Sequence, residues 1–228
     1  MYNFFKKPLD SKFRKPRIWS NNELKKFVNL IYGEFLNVSG WEDQDKEGNT
    51  YGSKYFYKSS NYHISNFKKE MRGLQGNIKN EFFLDLEKNI ETNLINKFDV
   101  VFNHTTLEHI FEVNLAFKNL VNLTKDILII VVPFLQEEHG NYGDYWRFTP
   151  QNIKRLFDKN NIRLEYINYN DSNKESIYIF AVGSKLQSSQ NKISTIFGNK
   201  IKFVGKKLIG QNIIKNNFLK TLYFYLSK

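Results

Sequence analysis

The stretch FDVVFNHTTLEHI, residues 98–110, read together with Ile127–Val132, decides how this chain folds. Phe98-Asp99-Val100-Val101-Phe102-Asn103 is a near-continuous apolar run, as expected of a strand covered on both faces. From Thr106 to Leu123 the spacing turns helical, with Leu107, Ile110, Phe111, Leu115, Phe117, Leu120 and Val121. Ile127–Val132 is the most apolar strand of the chain, and Pro133 is expected to stop it.

The same alternation continues outward. Upstream, Ser20-Asn21-Asn22 can cap a helix running through Leu24, Phe27, Val28 and Ile31 to Gly33, and residues 1–19 read as an irregular basic arm. Short strands are expected at Phe35–Val38, Asn61–Ser65 and Phe82–Leu84, separated by a polar, acidic, turn-rich stretch (41–60) and a basic, loop-like one (66–80). Downstream, a loop holds His139, Gly140 and Gly143, and Thr149-Pro150 opens a helix carrying Ile153, Leu156 and Phe157. Ile162–Tyr169 and Ser176–Val182 read as a final hairpin. Strands alternating with helices, then an antiparallel pair, predict an α/β fold with a mostly parallel sheet and helices on both faces.

The 228 residues, 41% hydrophobic, suit one large α/β domain with appendages and exclude wholesale disorder. The absence of cysteine excludes a disulfide scaffold, a thiolate metal site and a cysteine nucleophile. No apolar run is long enough for a membrane span and the first residues lack a signal-like apolar segment, so a cytoplasmic protein is expected. The net charge of +11 sits at the ends: residues 1–17 and 184–228 are basic, while 18–183 are slightly acidic. Lys outnumbers Arg 28 to 6, which is poor support for nucleic-acid binding. The division expected is a basic arm (1–19), a domain (20–184) and a basic amphipathic extension (185–228). That extension reads either as a helix packed on the sheet or as a peripheral anchor on the inner face of an anionic membrane.

In open sheets of this kind ligands bind beyond the carboxyl ends of the strands. The residues there are Ser39-Gly40-Trp41, Ser65-Asn66, Asp85-Leu86, Asn103-His104-Thr105, and the loop with His139, Asp144, Tyr145, Trp146 and Arg147. They are small or polar and suit a nucleoside-like cofactor.

Three segments resemble class I S-adenosylmethionine-dependent methyltransferases of the type 11 group. FDVVFNHTTLEHI is similar to the fourth strand and the turn that follows it. VVPF…HGNYGDYWRFTPQNIKRLF (131–157) is similar to the fifth strand and next helix, with DYWRFTP of the kind found with surface-glycan biosynthesis. FFLDLEKNI (82–90) resembles the third strand. The likeness spans residues 33–184 and implies a Rossmann-like seven-stranded sheet with S-adenosylmethionine as cofactor. It implies a pocket lined by Ser39, Gly40, Ser65, Asp85, Leu86, Asn103 and His104, with Asp85 on the adenine amino group. The first turn departs from the family: FLNVSGWEDQDKEG keeps one glycine at the turn and has Asn37 where an acid is usual, and the second strand ends in Ser65-Asn66 without a carboxylate. Binding rearranged around Glu42, Asp43 and Asp45 is one reading of that departure, and a solvated acidic loop is another.

In-line methyl transfer needs alignment and a proton sink. The candidate bases are His139, His109 and Asp144, with His139 favoured because its loop follows the fifth strand. His109 reads equally as a helix-packing residue, His104 as a loop hydrogen-bonder, and His63 as structural. Tyr145, Trp146 and Arg147 read either as acceptor-binding residues or as core packing with Arg147 on a carboxylate. No His/Asp/Glu cluster shows metal-ligand spacing, so no metal is expected. The function expected is methyl transfer to an oxygen of a sugar or glycan intermediate, lipid-linked in one version. The alternatives are a methyltransferase-fold, membrane-peripheral binding protein without activity and, on charge alone, an RNA methyltransferase.

Overall fold

A computed structural model describes residues 13–71, 73–140, 142–172, 175–198 and 201. In chain order these form α1 (Arg14–Lys25), β1 (Gly33–Val38), α2 (Tyr51–Lys54), β2 (Ser59–Asn66), β3 (Glu81–Phe83), β4 (Phe98–His104), α3 (Val113–Leu123), β5 (Thr124–Leu135), α4 (Pro150–Lys159), β6 (Arg163–Tyr169), β7 (Ile177–Ser184) and α5 (Gln187–Phe197), with three short 3₁₀ turns. The seven strands form one sheet in the order β3-β2-β1-β4-β5-β7-β6. The first five run parallel, and β7 lies antiparallel between β5 and β6. This is the Rossmann-like methyltransferase topology. Among the described residues, no helix is long and apolar enough to cross a membrane.

The central strands bury both faces, and each face has its own core. Val101, Leu128, Ile130 and Ile179 pack with Phe117 and Leu120 of α3 and Ile153 and Phe157 of α4. Val100, Phe102, Ile129 and Phe180 pack with Leu24 of α1, Tyr51 of α2 and Ile193 of α5. Alternate residues of one strand serve opposite layers, as the strand period requires. α5 lies within the 185–228 extension and stacks Phe197 on Phe27. The amphipathic stretches expected beyond it, apart from Ile201, lie outside the described residues.

Three local expectations are corrected. The first helix spans 14–25, not 20–33: Pro16 sits in its first turn, where a helix has no use for that residue's missing N–H. β5 runs through Pro133 to Leu135. Its pairing with β4 ends at Val131, so Pro133 has a partner strand on one side alone, where a missing donor is tolerated. The span 106–123 is not one helix. Leu107–His109 is a 3₁₀ turn, Ile110 is extended, and α3 starts at Val113.

Candidate functional site

The parallel register brings the carboxyl ends of the central strands level. Val38 lies beside Ser65 on one side and Asn103 on the other. The residues just beyond them line a cavity of about 360 Å³, within the range of small-molecule sites. Its wall includes Ser39, Gly40, Trp41, Asn66, Asp85, Leu86, His104, His109 and Tyr145.

The β1 side of this cavity is built with a single glycine, Gly40, and three non-glycine residues in left-handed backbone. Ser39, Trp41 and Asp43 all take left-handed backbone, with φ of 57°, 51° and 58°. Each such non-glycine residue costs on the order of 1 kcal/mol and persists where surroundings hold it. The holding groups are polar side chains. Asn66 accepts from the Trp41 amide at 2.8 Å, and its own amide donates to the Trp41 carbonyl at 3.1 Å and to Glu81 at 2.6 Å. Asp43 accepts from Asn37 (3.0 Å), the Tyr62 hydroxyl (2.5 Å) and the Gly52 amide (3.1 Å). Burial of Asp43 raises its pKa against the pull of those bonds. Asp45 is also buried; burial alone would raise it, but donors from Asn49, Glu47 and Tyr55 outweigh this and hold it at about 2. Neither aspartate lines the cavity, nor does Glu42. The acidic stretch is therefore scaffold for the turn, and Trp41 forms a wall without filling the space. Gly40 is required for close approach: a Cβ there would lie 2.7 Å from Asn37 Nδ2.

α1 closes another side. Arg17 Nη2 donates to Thr105 Oγ1 at 2.8 Å, and Ser20 Oγ is 2.8 Å from His104 Nε2, whose Nδ1 is 3.1 Å from the same Thr105 oxygen. Burial, aided by Arg17, holds the His104 pKa well below its ordinary value, so the ring is neutral. Arg17 lines the cavity, and its Nε is buried without a protein partner.

The β4–β5 side is organised differently. The 3₁₀ turn after β4 points Glu108 inward, where it is fully buried and neither carboxylate oxygen has a hydrogen-bond partner. Burial pushes its pKa up to about 8. The Glu108 carbonyl accepts from the amides of Tyr145 and Trp146, which ties this turn to the loop after β5. His109 Nδ1 donates to the Gly143 carbonyl at 2.5 Å, so the neutral ring presents Nε2, 3.9 Å from Glu108 Oε1. Burial lowers the His109 pKa. The His139 ring lies 4.9 Å from that of His109, and its Nδ1 is 3.1 Å from Asp144 Oδ2. Asp144 in turn takes both Arg147 terminal nitrogens, at 2.6 and 2.7 Å, while Arg147 also bonds the carbonyls of Gln136 and Glu137. Burial opposes ionisation of Asp144, but Arg147 and the His139 amide outweigh it and hold the carboxyl at about 2.

Of the residues expected to bind a cofactor, Ser39, Gly40, Asp85, Leu86 and His104 line the cavity. Ser65 and Asn103 do not: both are fully buried behind the wall. β2 extends one residue further than expected, and with side chains alternating it is Asn66 that faces the cavity. Of the three candidate bases, His109 reaches the wall, while His139 and Asp144 stand behind it. Tyr145 lines the cavity. Trp146 hydrogen-bonds the carbonyls of Ile110 and Phe111, and Arg147 is committed to Asp144. Sequence reasoning missed Arg17, which it placed in an irregular arm, and Glu108.

The structure resembles solved methyltransferases. One from Bacillus halodurans C-125, described as putative, aligns with a TM-score of 0.53 at 9% identity, covering 72% of this chain and 97% of that one. An S-adenosylmethionine-dependent methyltransferase from Mesorhizobium loti aligns at 0.54 and 7%, covering 72% and 96%. The magnesium protoporphyrin IX methyltransferase from Synechocystis PCC 6803, solved with bound SAH, aligns at 0.52 and 12%, covering 75% and 83%. At these identities the likeness establishes the fold. No family model and no curated protein matches the chain.

Proposed function

We propose that this chain transfers a methyl group from S-adenosylmethionine to an oxygen of a sugar or glycan intermediate. The observation that carries the reading is the open cavity at the carboxyl edge of a methyltransferase-type sheet, with Trp41 in its wall and not in its volume. The residues fit the cofactor. Arg17, a cation facing the cavity with an unpartnered buried Nε, suits the carboxylate of the amino-acid end. Asp85 has one oxygen taken by the Glu87 amide and lies in the wall where an adenine amino group is expected. Asn66 is saturated by Trp41 and Glu81, so the ribose is held by other wall groups. When bound, S-adenosylmethionine supplies an electrophilic methyl on a sulfonium. The chain orients the acceptor, excludes water and receives the acceptor's charge at the His109 wall.

The glycan acceptor is supported by an aromatic shelf at the mouth. Phe111 and Tyr145 are 62% and 52% exposed, with ring centroids 5.4 Å apart, and Trp146 adjoins them. Exposed aromatic surface beside a cavity marks a binding face, and flat rings match the apolar face of a sugar ring. The open cavity argues against a role as a binding partner without activity. Incubation with methyl-labelled cofactor and a panel of glycan intermediates is expected to label a sugar hydroxyl. Labelling of RNA alone, or none despite bound cofactor, would overturn the acceptor assignment. A lipid-linked acceptor at the membrane face would also need the basic extension beyond α5, so deletion of residues 202–228, which leaves α5 in the core, should reduce flotation with anionic liposomes.

A further inference from the structure

We infer that Glu108, His109 and His139 form a site for one divalent transition-metal ion, with an open coordination position facing the cavity. Their ligand atoms all lie within 4.8 Å of one another. Two imidazoles and a carboxylate are a donor set suited to Zn²⁺ and its first-row neighbours, whereas Mg²⁺ prefers oxygen. Sequence spacing hides the site because His139 is 30 residues from His109 along the chain.

Three independent features point to an ion. Glu108 is fully buried and no other residue is in hydrogen-bond geometry with either carboxyl oxygen, an expensive state for such a group. His109 donates Nδ1–H to the Gly143 carbonyl, the outer bond that fixes a metal-binding imidazole with Nε2 as its lone-pair nitrogen. His139 Nδ1 lies 3.1 Å from Asp144 Oδ2 without hydrogen-bond alignment and is a further buried polar atom with no partner, while the His139 backbone amide donates to Asp144, which Arg147 anchors. The Gly140 backbone comes close enough to His109 that a Cβ on Gly140 would sit 3.7 Å from the ring. Metal–ligand bonds of about 2.0–2.2 Å require the three atoms to close by roughly 1 Å. Arg17 and Arg147 are the nearby cations that oppose an ion here, and Asp144 is the anion that offsets them.

His109 lines the cavity, so an open position on the ion would meet the acceptor. The inference therefore deepens the methyl-transfer reading. An acceptor hydroxyl bound there would lose its proton to water more readily. Its oxygen would then form the new O–CH₃ bond as the C–S bond breaks, the electron pair remaining on sulfur as S-adenosylhomocysteine.

The test is calorimetric titration of ZnCl₂ into the chelator-treated full-length protein, with Co²⁺ substitution as a spectroscopic check. The result expected is one ion per chain, bound at micromolar concentration or tighter, with visible Co²⁺ bands characteristic of nitrogen ligands. Glu108→Gln and His139→Ala should each weaken binding at least tenfold while circular dichroism stays unchanged. His63→Ala, remote on β2, should leave it intact. His109→Ala should weaken binding at least tenfold as well, with His109→Gln taking its place if the alanine variant fails to fold. No stoichiometric binding, or binding indifferent to Glu108→Gln and His139→Ala in folded protein, would overturn the site. Titration with S-adenosylhomocysteine is a separate arm: nucleoside binding without metal binding sinks this inference alone, and the reverse sinks the methyl-transfer reading.

Discussion

The two walls of the cavity solve opposite problems. On the β1 side, Asn37, Asp43 and Asn66 are all bonded to other side chains or to the Trp41 backbone, and the outcome is a fixed turn made with Ser39, Trp41 and Asp43 in place of glycines. On the β4–β5 side, Glu108 is left without partners next to His109, whose Nδ1 donates to the Gly143 carbonyl, and His139, whose ring Nδ1 is also unpartnered. A saturated network stabilises a shape and has little capacity left for a ligand. An unsatisfied buried group destabilises the empty protein and is retained where something else completes it. The first wall is architecture, and the second is where the proposed chemistry is expected.

That contrast can be broken at several points. The largest effect is expected from Gly40→Val, which drives a side chain into Asn37 and Ile64 and should weaken S-adenosylhomocysteine binding by 100-fold or more, about 2.7 kcal/mol. Equilibrium dialysis measures it, and an unchanged affinity would mean the turn does not touch the cofactor. Asp144→Ala removes the carboxylate that ties Arg147 and the His139 amide together and leaves Arg147 with backbone carbonyls alone. Chemical denaturation should show a loss of about 3 kcal/mol. Asp45→Asn should cost about 1–2 kcal/mol near neutral pH, allowing for partial solvent screening. Its folded pKa of about 2 lies below the ordinary aspartate value near 3.8, so its contribution is present above pH 4 and lost as pH falls toward 2. The variant should therefore lose the steepest part of the wild-type acid limb, read as melting temperature against pH. The smallest effect runs the other way. Ser39→Gly relieves left-handed strain and should stabilise the protein by up to about 1 kcal/mol. A loss of stability would show that the serine side chain, not its backbone, matters.

Much of the fold was legible. Apolar continuity at 98–103 and 127–132 marked the two central strands, and Thr149-Pro150 marked α4, where the Asn152 amide donates to the Thr149 hydroxyl. What escaped notice turned on local geometry that composition does not encode. Helical spacing ran across 106–123, yet a 3₁₀ turn interrupts it, and that interruption is what turns Glu108 inward. A one-residue extension of β2 exchanged Ser65 for Asn66 at the wall. Pro16 looked like a breaker and proved to be first-turn residue of α1, which hid Arg17. Of the site, the strand-end residues were readable from position along the sheet. The Glu108–His109–His139 cluster was not, because it depends on a loop folding back across 30 residues of chain.

The cavity at the carboxyl edge is expected to hold the nucleoside cofactor although the turn beside it keeps Gly40 alone of the usual glycines. Isothermal titration of S-adenosylhomocysteine into the full-length protein tests it most directly. One molecule bound per chain at micromolar concentration, weakened at least tenfold by Arg17→Ala, is the predicted result. Absence of heat and of any protection against thermal unfolding at millimolar ligand would contradict it.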